Sequence, residues 1–229
     1  LLKEQKDSIV NDFISRGVEP NVNLKNSDIE WLDEIPTHWK IVPLLSVCEE
    51  TQEKNEDDIE TVLTLSYGKL KIKNIETNFG LLPESFENYQ RIRPGYIVLR
   101  LLDLQNDKKS LRVGHSYLDG IITPVYVSLK CNEDIDSEFL YFFLHNSDIK
   151  KVLYSLGGGL RQTLRFSELN KLPILLPPKD EQKLIVEKIK TILLTLDSEI
   201  LKERSRVKIF KEYKQSLISE IVLGKKRVI

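Results

Sequence analysis

The stretch that decides the fold reads Leu172-Pro173-Ile174-Leu175-Leu176-Pro177-Pro178-Lys179-Asp180-Glu181-Gln182, and no Gly or Pro follows it until after Val222. Residues 172–176 are strand-like, and the proline pair ends them. Asp180 and Glu181 then stand where a helix N-terminus favours negative charge. Beyond them, apolar residues fall at Ile185, Ile189, Ile192, Leu196, Ile200, Val207, Phe210, Leu217 and Ile221, with a polar gap at 203–206. Steps of three and four dominate, which predicts one helix of about 43 residues, roughly 65 Å long at ~1.5 Å per residue. One small domain cannot cover a stripe on so long a rod. Those apolar positions are therefore expected to form a coiled-coil-like interface with another helix.

Outward from that helix, the chain divides into zones. Residues 1–16 (LLKEQKDSIVNDFISR) carry Leu2, Ile9, Val10, Phe13 and Ile14 at helical spacing, and Gly17 with Pro20 marks the stop. Residues 18–39 look irregular. Residues 40–178 mix short β-branched and aromatic runs (62–66, 96–102 and 121–129) with turn signals at Pro94-Gly95, Asn78-Phe79-Gly80 and Asp119-Gly120. A helical patch at 137–156 is rich in Phe139, Leu140, Phe142, Phe143, Val152 and Leu153. The expected fold class is α+β: a mixed α/β domain over 40–178, then a long coiled-coil-forming helix over 179–229. Residues 1–17 would be the end of a similar spacer helix, and 18–39 a linker.

Composition bounds the rest. The chain has 229 residues, 41% hydrophobic, with 34 Lys and Arg against 35 Asp and Glu, a net charge of −1. That excludes a histone-like basic arm, an acidic tail and a disordered chain. No charge-free run approaches the ~18 residues of a membrane span, and no signal peptide opens the chain. Cys48 and Cys131 are the two cysteines, without a CxxC pair, so a disulfide scaffold or zinc knot is not expected. A soluble cytoplasmic protein is the simplest expectation. The chain begins at Leu1 and contains no Met, which suggests part of something longer.

The two ends repeat each other. Residues 3–12 align with 211–220 at a constant offset of 208, with Lys, Glu, Lys and Ser identical and Ile/Leu, Val/Ile and Asp/Glu conservative. Phe13/Ile221 and Ile14/Val222 extend the match. Either two amphipathic helices coincide by chance, or the chain is one period of a tandem repeat whose unit is a globular domain plus a long helix.

Three stretches carry a family resemblance. Arg16-Gly17-Val18-Glu19-Pro20-Asn21-Val22, followed by Ile29-Glu30-Trp31-Leu32-Asp33-Glu34-Ile35-Pro36-Thr37-His38-Trp39, looks like a linker into a target-recognition domain. Residues 172–182 look like the exit from that domain. Tyr213-Lys214-Gln215-Ser216-Leu217-Ile218-Ser219-Glu220 looks like the end of a conserved helix. Together they resemble the DNA-specificity subunit of type I restriction-modification systems over nearly the whole chain.

The resemblance implies sequence-specific recognition of double-stranded DNA, with each recognition domain reading half of a split target. It implies no catalysis by this chain. Methyltransferase subunits would dock on the helical region, and a restriction subunit would join through the complex. S-adenosylmethionine, ATP and Mg would belong to those partners, leaving no cofactor here. A second recognition domain and helix would come from the same full-length subunit or from a homodimer, in the prokaryotic cytoplasm.

Near-zero net charge makes DNA binding a question of local charge. Residues 49–60 hold seven acids against Lys54 and are expected to face away from DNA. In Tyr67-Gly68-Lys69-Leu70-Lys71-Ile72-Lys73-Asn74, a strand would put Lys69, Lys71 and Lys73 on one face and Leu70 with Ile72 on the other. An ordinary solvated strand face is the bland alternative. In residues 100–112, Arg100, Gln105, Asn106 and Arg112 offer base-edge partners, and Lys108 and Lys109 offer phosphate contacts. The alternative there is a surface turn with scattered charge. In Gly157-Gly158-Gly159-Leu160-Arg161-Gln162, glycines such as Gly158 allow close backbone approach, and Arg161 and Gln162 could enter a groove. The alternative is a plain hinge. Tyr89-Gln90-Arg91 is a weaker fourth candidate.

Catalytic patterns do not emerge. His38, His115 and His145 have no metal-ligand spacing, so no metal site is expected. Gly224-Lys225-Lys226 lacks the spacing of a phosphate-cradling loop, and Leu176-Pro177-Pro178-Lys179 lacks the amide or acid of an adenine-methyltransferase motif. Glu181-Gln182-Lys183 mimics half of a nuclease signature, but a helix start explains it more simply. The competing readings are a coiled-coil adaptor that never touches DNA and, more remotely, a standalone nuclease.

Overall fold

A computed structural model describes residues 2–56, 59–74, 85–104, 111–156 and 163–223. The helices are α1 (Leu2–Arg16), α2 (Ser137–Ile149), α3 (Val152–Leu156), α4 (Phe166–Leu169) and α5 (Lys179–Val222). The strands are β1 (Leu24–Ile29), β2 (Leu32–Pro36), β3 (Lys40–Pro43), β4 (Cys48–Thr51), β5 (Leu63–Ser66), β6 (Lys69–Ile72), β7 (Gln90–Ile92), β8 (Ile97–Leu99), β9 (Val113–His115), β10 (Gly120–Ile122), β11 (Val127–Cys131) and β12 (Pro173–Leu176). The class is α+β, as expected. The chain splits into two compact units, Leu1–Val186 and Glu187–Ile229, so the division falls inside α5. Among the described residues, no helix is long and apolar enough to cross a membrane.

In the first unit, a four-stranded antiparallel sheet runs β4-β11-β8-β9. The remaining strands pair as β5-β6, β7-β10, β1-β2 and β3-β12. Leu63, Ile92, Tyr96, Val98 and Ile122 form a buried cluster that takes up Leu70 from β6. The β3-β12 pairing joins residues 40–43 to residues 173–176, so both ends of the middle zone meet in one ladder. Residues 18–39, expected to be irregular, contain the β1-β2 hairpin. β1 is short and mostly polar, β2 buries Leu32 and Ile35, and the Ser27 hydroxyl bonds the Leu32 carbonyl.

Two tryptophans anchor this lead-in. Trp31 lies edge-on to Phe143 at 5.6 Å, and Trp39 edge-on to Phe139 at 6.5 Å. Aromatic burial of this kind dominates core energetics. The helix carrying both phenylalanines is capped by Asp136, whose carboxylate accepts from the Glu138 and Phe139 amides at 2.9 and 3.0 Å. The patch at 137–156 is two helices rather than one, because Lys151 adopts φ 64° between α2 and α3.

The start of α5 is sewn to the same region. Gln182 is fully buried; its amide oxygen accepts from Asp136 N at 2.7 Å, and its amide nitrogen donates to Asp134 O and Pro177 O. Glu181 meets His38 at 2.8 Å. Gly17 has φ +78°, and an added Cβ would stand 2.9 Å from Glu181 Oε1 and 3.2 Å from the Trp39 ring. The lead-in and exit motifs are therefore one structural junction. The Glu181-Gln182 pair is fastened there as scaffold.

In the expected helix interface, Ile185 and Ile189 are already fully buried within this chain, which corrects their assignment to a partner-facing stripe. Ile192, Leu196, Ile200 and Leu217 are half-buried, while Val207, Phe210 and Ile221 are 52%, 71% and 42% exposed.

Candidate nucleic-acid interface

The Tyr67–Lys73 segment is a tight hairpin. β5 and β6 pair antiparallel with Ser66 opposite Lys69, leaving Tyr67 and Gly68 as a two-residue turn with φ 50° and 73°. Positive φ at both central positions gives the turn that matches strand twist. A Cβ on Gly68 would lie 3.1 Å from the His145 ring and 3.2 Å from Leu111, so the backbone comes in close there. Tyr67 projects from the tip, 81% exposed. Lys69 and Lys71 are exposed and Lys73 is half-buried. Leu70 turns inward, but Ile72 is 62% exposed, so the expected apolar face is only half realised.

Arg112 is a correction. It is fully buried. Its Nε donates to the Tyr154 hydroxyl at 3.0 Å. One terminal nitrogen donates to Arg100 O and Leu102 O at 3.2 and 2.6 Å, and the other to Asp103 O at 3.1 Å. Its backbone amide donates to Asp148 Oδ2 at 2.7 Å. The guanidinium also lies 5.3 Å from the centre of the Tyr154 ring. A planar five-donor fork suits such a convergence of carbonyls, and it leaves nothing to offer a base. Arg100, half-buried, contributes its backbone to this network through Arg100 N donating to Arg112 O at 2.9 Å.

The weaker candidates are also structural. Gln90 is buried and donates to Thr123 O and Tyr126 O. Arg91 is buried with a 2.8 Å ion pair to Asp119. In the acidic stretch, Glu53 accepts from Tyr96 OH at 2.6 Å and pairs with Arg93 at 3.2 Å. The Tyr96 hydrogen bond holds the Glu53 carboxyl below its usual range, with help from Arg93.

Gln105, Asn106, Lys108, Lys109, Gly158, Arg161 and Gln162 lie outside the described residues. The described flanks of their segments are drawn together. Arg112 binds the carbonyls of residues 100, 102 and 103 and the hydroxyl of Tyr154. Leu164 N donates to Leu101 O at 2.9 Å. Leu111 touches the Tyr67-Gly68 turn. Three segments picked separately from sequence thus have neighbouring roots. Sequence reasoning missed Asp148, Tyr154 and Lys151, whose ammonium sits 4.7 Å from the Tyr154 ring centre. A cue was available in the aromatic two residues before Leu156, but nothing in the sequence tied it to Arg112.

Comparison with known proteins fits this architecture. In class, the fold is that of type I specificity subunits. The chain superposes on a structure from work on the assembly and conformational transition of the type I restriction-modification system, with a TM-score of 0.61 and 14% identity, over 96% of this chain and 51% of that one. It also superposes on the HsdS subunit from Thermoanaerobacter tengcongensis, with a TM-score of 0.52 and 14% identity, over 86% of this chain and 44% of that one.

In sequence, residues 124–208 match the type I restriction modification DNA specificity domain. The whole chain is 25% identical over 244 residues to the putative type I restriction enzyme MjaX specificity subunit of Methanocaldococcus jannaschii, covering 52% of that protein. The chain spans about half the length of these relatives. The resemblance to DNA-specificity subunits of type I restriction-modification systems, read above from the motifs, therefore holds in sequence and in fold.

Proposed function

We propose that this chain reads one half of a split duplex DNA target and directs methylation and restriction carried out by partner subunits. The observation that carries the reading is the convergence at Arg112 and Gly68, which brings the roots of the candidate segments together beside the exposed Tyr67, Lys69 and Lys71. Lys69, Lys71 and Lys73 would hold phosphates and fix register, and Tyr67 would lie against the duplex. Arg100 stays in the set as the half-buried cation at the root of its segment.

Assembly follows from the second unit. Its exposed apolar positions, Val207, Phe210 and Ile221, would be covered by a second spacer helix from the same longer subunit or from another copy. Methyltransferase subunits would dock along that pair, with the restriction subunit joining the complex. S-adenosylmethionine, ATP and Mg would act in those partners, and this chain would perform no chemistry.

The test is a methylation map and a salt titration of the assembled complex. Replacing Lys69, Lys71 and Lys73 with Ala should weaken binding to all duplexes. It should also cut the slope of log K against log salt by about 0.9 for each phosphate that is no longer neutralised. An unchanged slope and an unchanged map would remove the hairpin from the interface and favour the adaptor reading, which the exposed helix stripe alone would also satisfy.

A further inference from the structure

The two cysteines stand opposite each other across a strand pair. Cys48 opens β4, Cys131 closes β11, and the antiparallel register matches them directly. Asn132 N donates to Val47 O at 2.9 Å, which makes 132/47 the hydrogen-bonded pair and 131/48 the non-hydrogen-bonded one. At such pairs the Cα atoms lie about 4.5 Å apart and the side chains lean together. A disulfide requires a Cα separation of about 4.4–6.8 Å, so the register itself suits the bond. We propose that Cys48 and Cys131 are a dithiol that a peroxide converts to a reversible cross-strand disulfide.

A route to the pair exists. An open cavity of about 500 Å³ is lined by Leu45, Cys48, Glu49, Lys130, Cys131 and Asn132. Cys131 is half-buried at the strand end, while Cys48 is buried and donates weakly to Leu44 O at 3.5 Å. Cys131 is therefore the thiol that meets the oxidant. Its sulfur attacks one peroxide oxygen, the O–O bond breaks, and hydroxide leaves to become water with the thiol proton. The Cys48 sulfur then attacks the sulfenic sulfur, the S–O bond breaks, and a second water leaves. Two thiols and one peroxide give one disulfide and two waters.

Both thiols are pushed up to about 12, chiefly by burial, with Cys131 contributing to the rise at Cys48 and Asp136 to that at Cys131. Thiolate is scarce at neutral pH, so the first step is slow and the neighbouring thiol makes the second fast. The pair shares no residue with the proposed DNA face, and this inference does not depend on that reading.

The test uses the full chain, incubated with hydrogen peroxide at mildly alkaline pH, quenched, unfolded, titrated for thiols and mapped by mass spectrometry. Both thiols should disappear together, the peptides containing residues 48 and 131 should be joined within one chain, and dithiothreitol should restore both. In Cys131→Ser, Cys48 should persist as a thiol under conditions that consume the wild-type pair. Serine is nearly isosteric with cysteine and position 131 lies at the strand end, only partly buried, so this variant should keep the fold. Two thiols that stay titratable would overturn the proposal. So would separate oxidation of each cysteine to sulfinic or sulfonic acid, or a disulfide joining two chains.

Discussion

The first helix and the last turns of α5 share a sequence pattern and occupy opposite environments. In α1, Val10 is 7% exposed and Ile14 fully buried, with α2 and β2 packed against the helix, and Asn11 accepts from Asn146 at 3.0 Å. In the matching positions of α5, Ile218 is 52% and Val222 77% exposed. An amphipathic pattern records which face a helix must cover, and the surrounding chain decides whether it is covered. The difference supports the reading of the C-terminal stretch as a face left for a second spacer helix to cover.

The largest expected effect tests that contrast with matched substitutions. Ile14→Asp should lower stability by about 4 kcal/mol or prevent folding, because it buries an unpaired charge. Val222→Asp should change the unfolding free energy of the isolated chain, read from urea denaturation, by less than about 0.5 kcal/mol while weakening assembly at matched concentration. Comparable destabilisation by both would erase the contrast.

A second pair sets buried against exposed cations. Arg112→Met should cost about 3 kcal/mol by leaving the carbonyls at Arg100, Leu102 and Asp103 without their donor. Lys71→Ala should leave thermal unfolding nearly unchanged and move only the salt dependence of DNA binding.

Smaller effects follow. Asn11→Ala should cost about 1 kcal/mol by removing the partner of Asn146, and Ser219→Ala at the equivalent position should cost nothing measurable in the isolated chain.

The smallest is pH-dependent. Glu53 has its folded pKa held down by Tyr96, so this contribution is present above its ordinary value of 4.5 and fades as pH falls below it. Tyr96→Phe should therefore destabilise slightly at neutral pH. The gap from wild type should narrow in acid, as followed by denaturation at several pH values.

Much of the framework was legible in the sequence. A run free of Gly and Pro with a single stripe gave α5 within a residue at its start. The β-branched and aromatic runs at 62–66 and 96–102 contain β5 and β8, the run at 121–129 is split between the end of β10 and the start of β11, and the strand-like stretch before the proline pair is β12. The β1-β2 hairpin was not legible, since β1 is mostly polar and the buried residues of β2, Leu32 and Ile35, stand three apart rather than alternating. The break at Lys151 depends on a left-handed residue beside Tyr154, which propensity does not mark.

Arg112 misled for a physical reason. An arginine reads as surface until three carbonyls of the preceding segment and a phenol from α3 are brought around it. Glu181 and Gln182 were read as helix-start residues only, because His38 and Asp136 lie far away in sequence.

The most direct test of a DNA-reading domain on a spacer helix places a photo-crosslinking side chain at Tyr67 in the assembled complex and offers the duplex defined by that complex's own methylation pattern. We expect covalent capture within one half of the target, reduced by raised salt and absent with a scrambled half-site. A complex that methylates normally while position 67 never captures DNA would contradict the account.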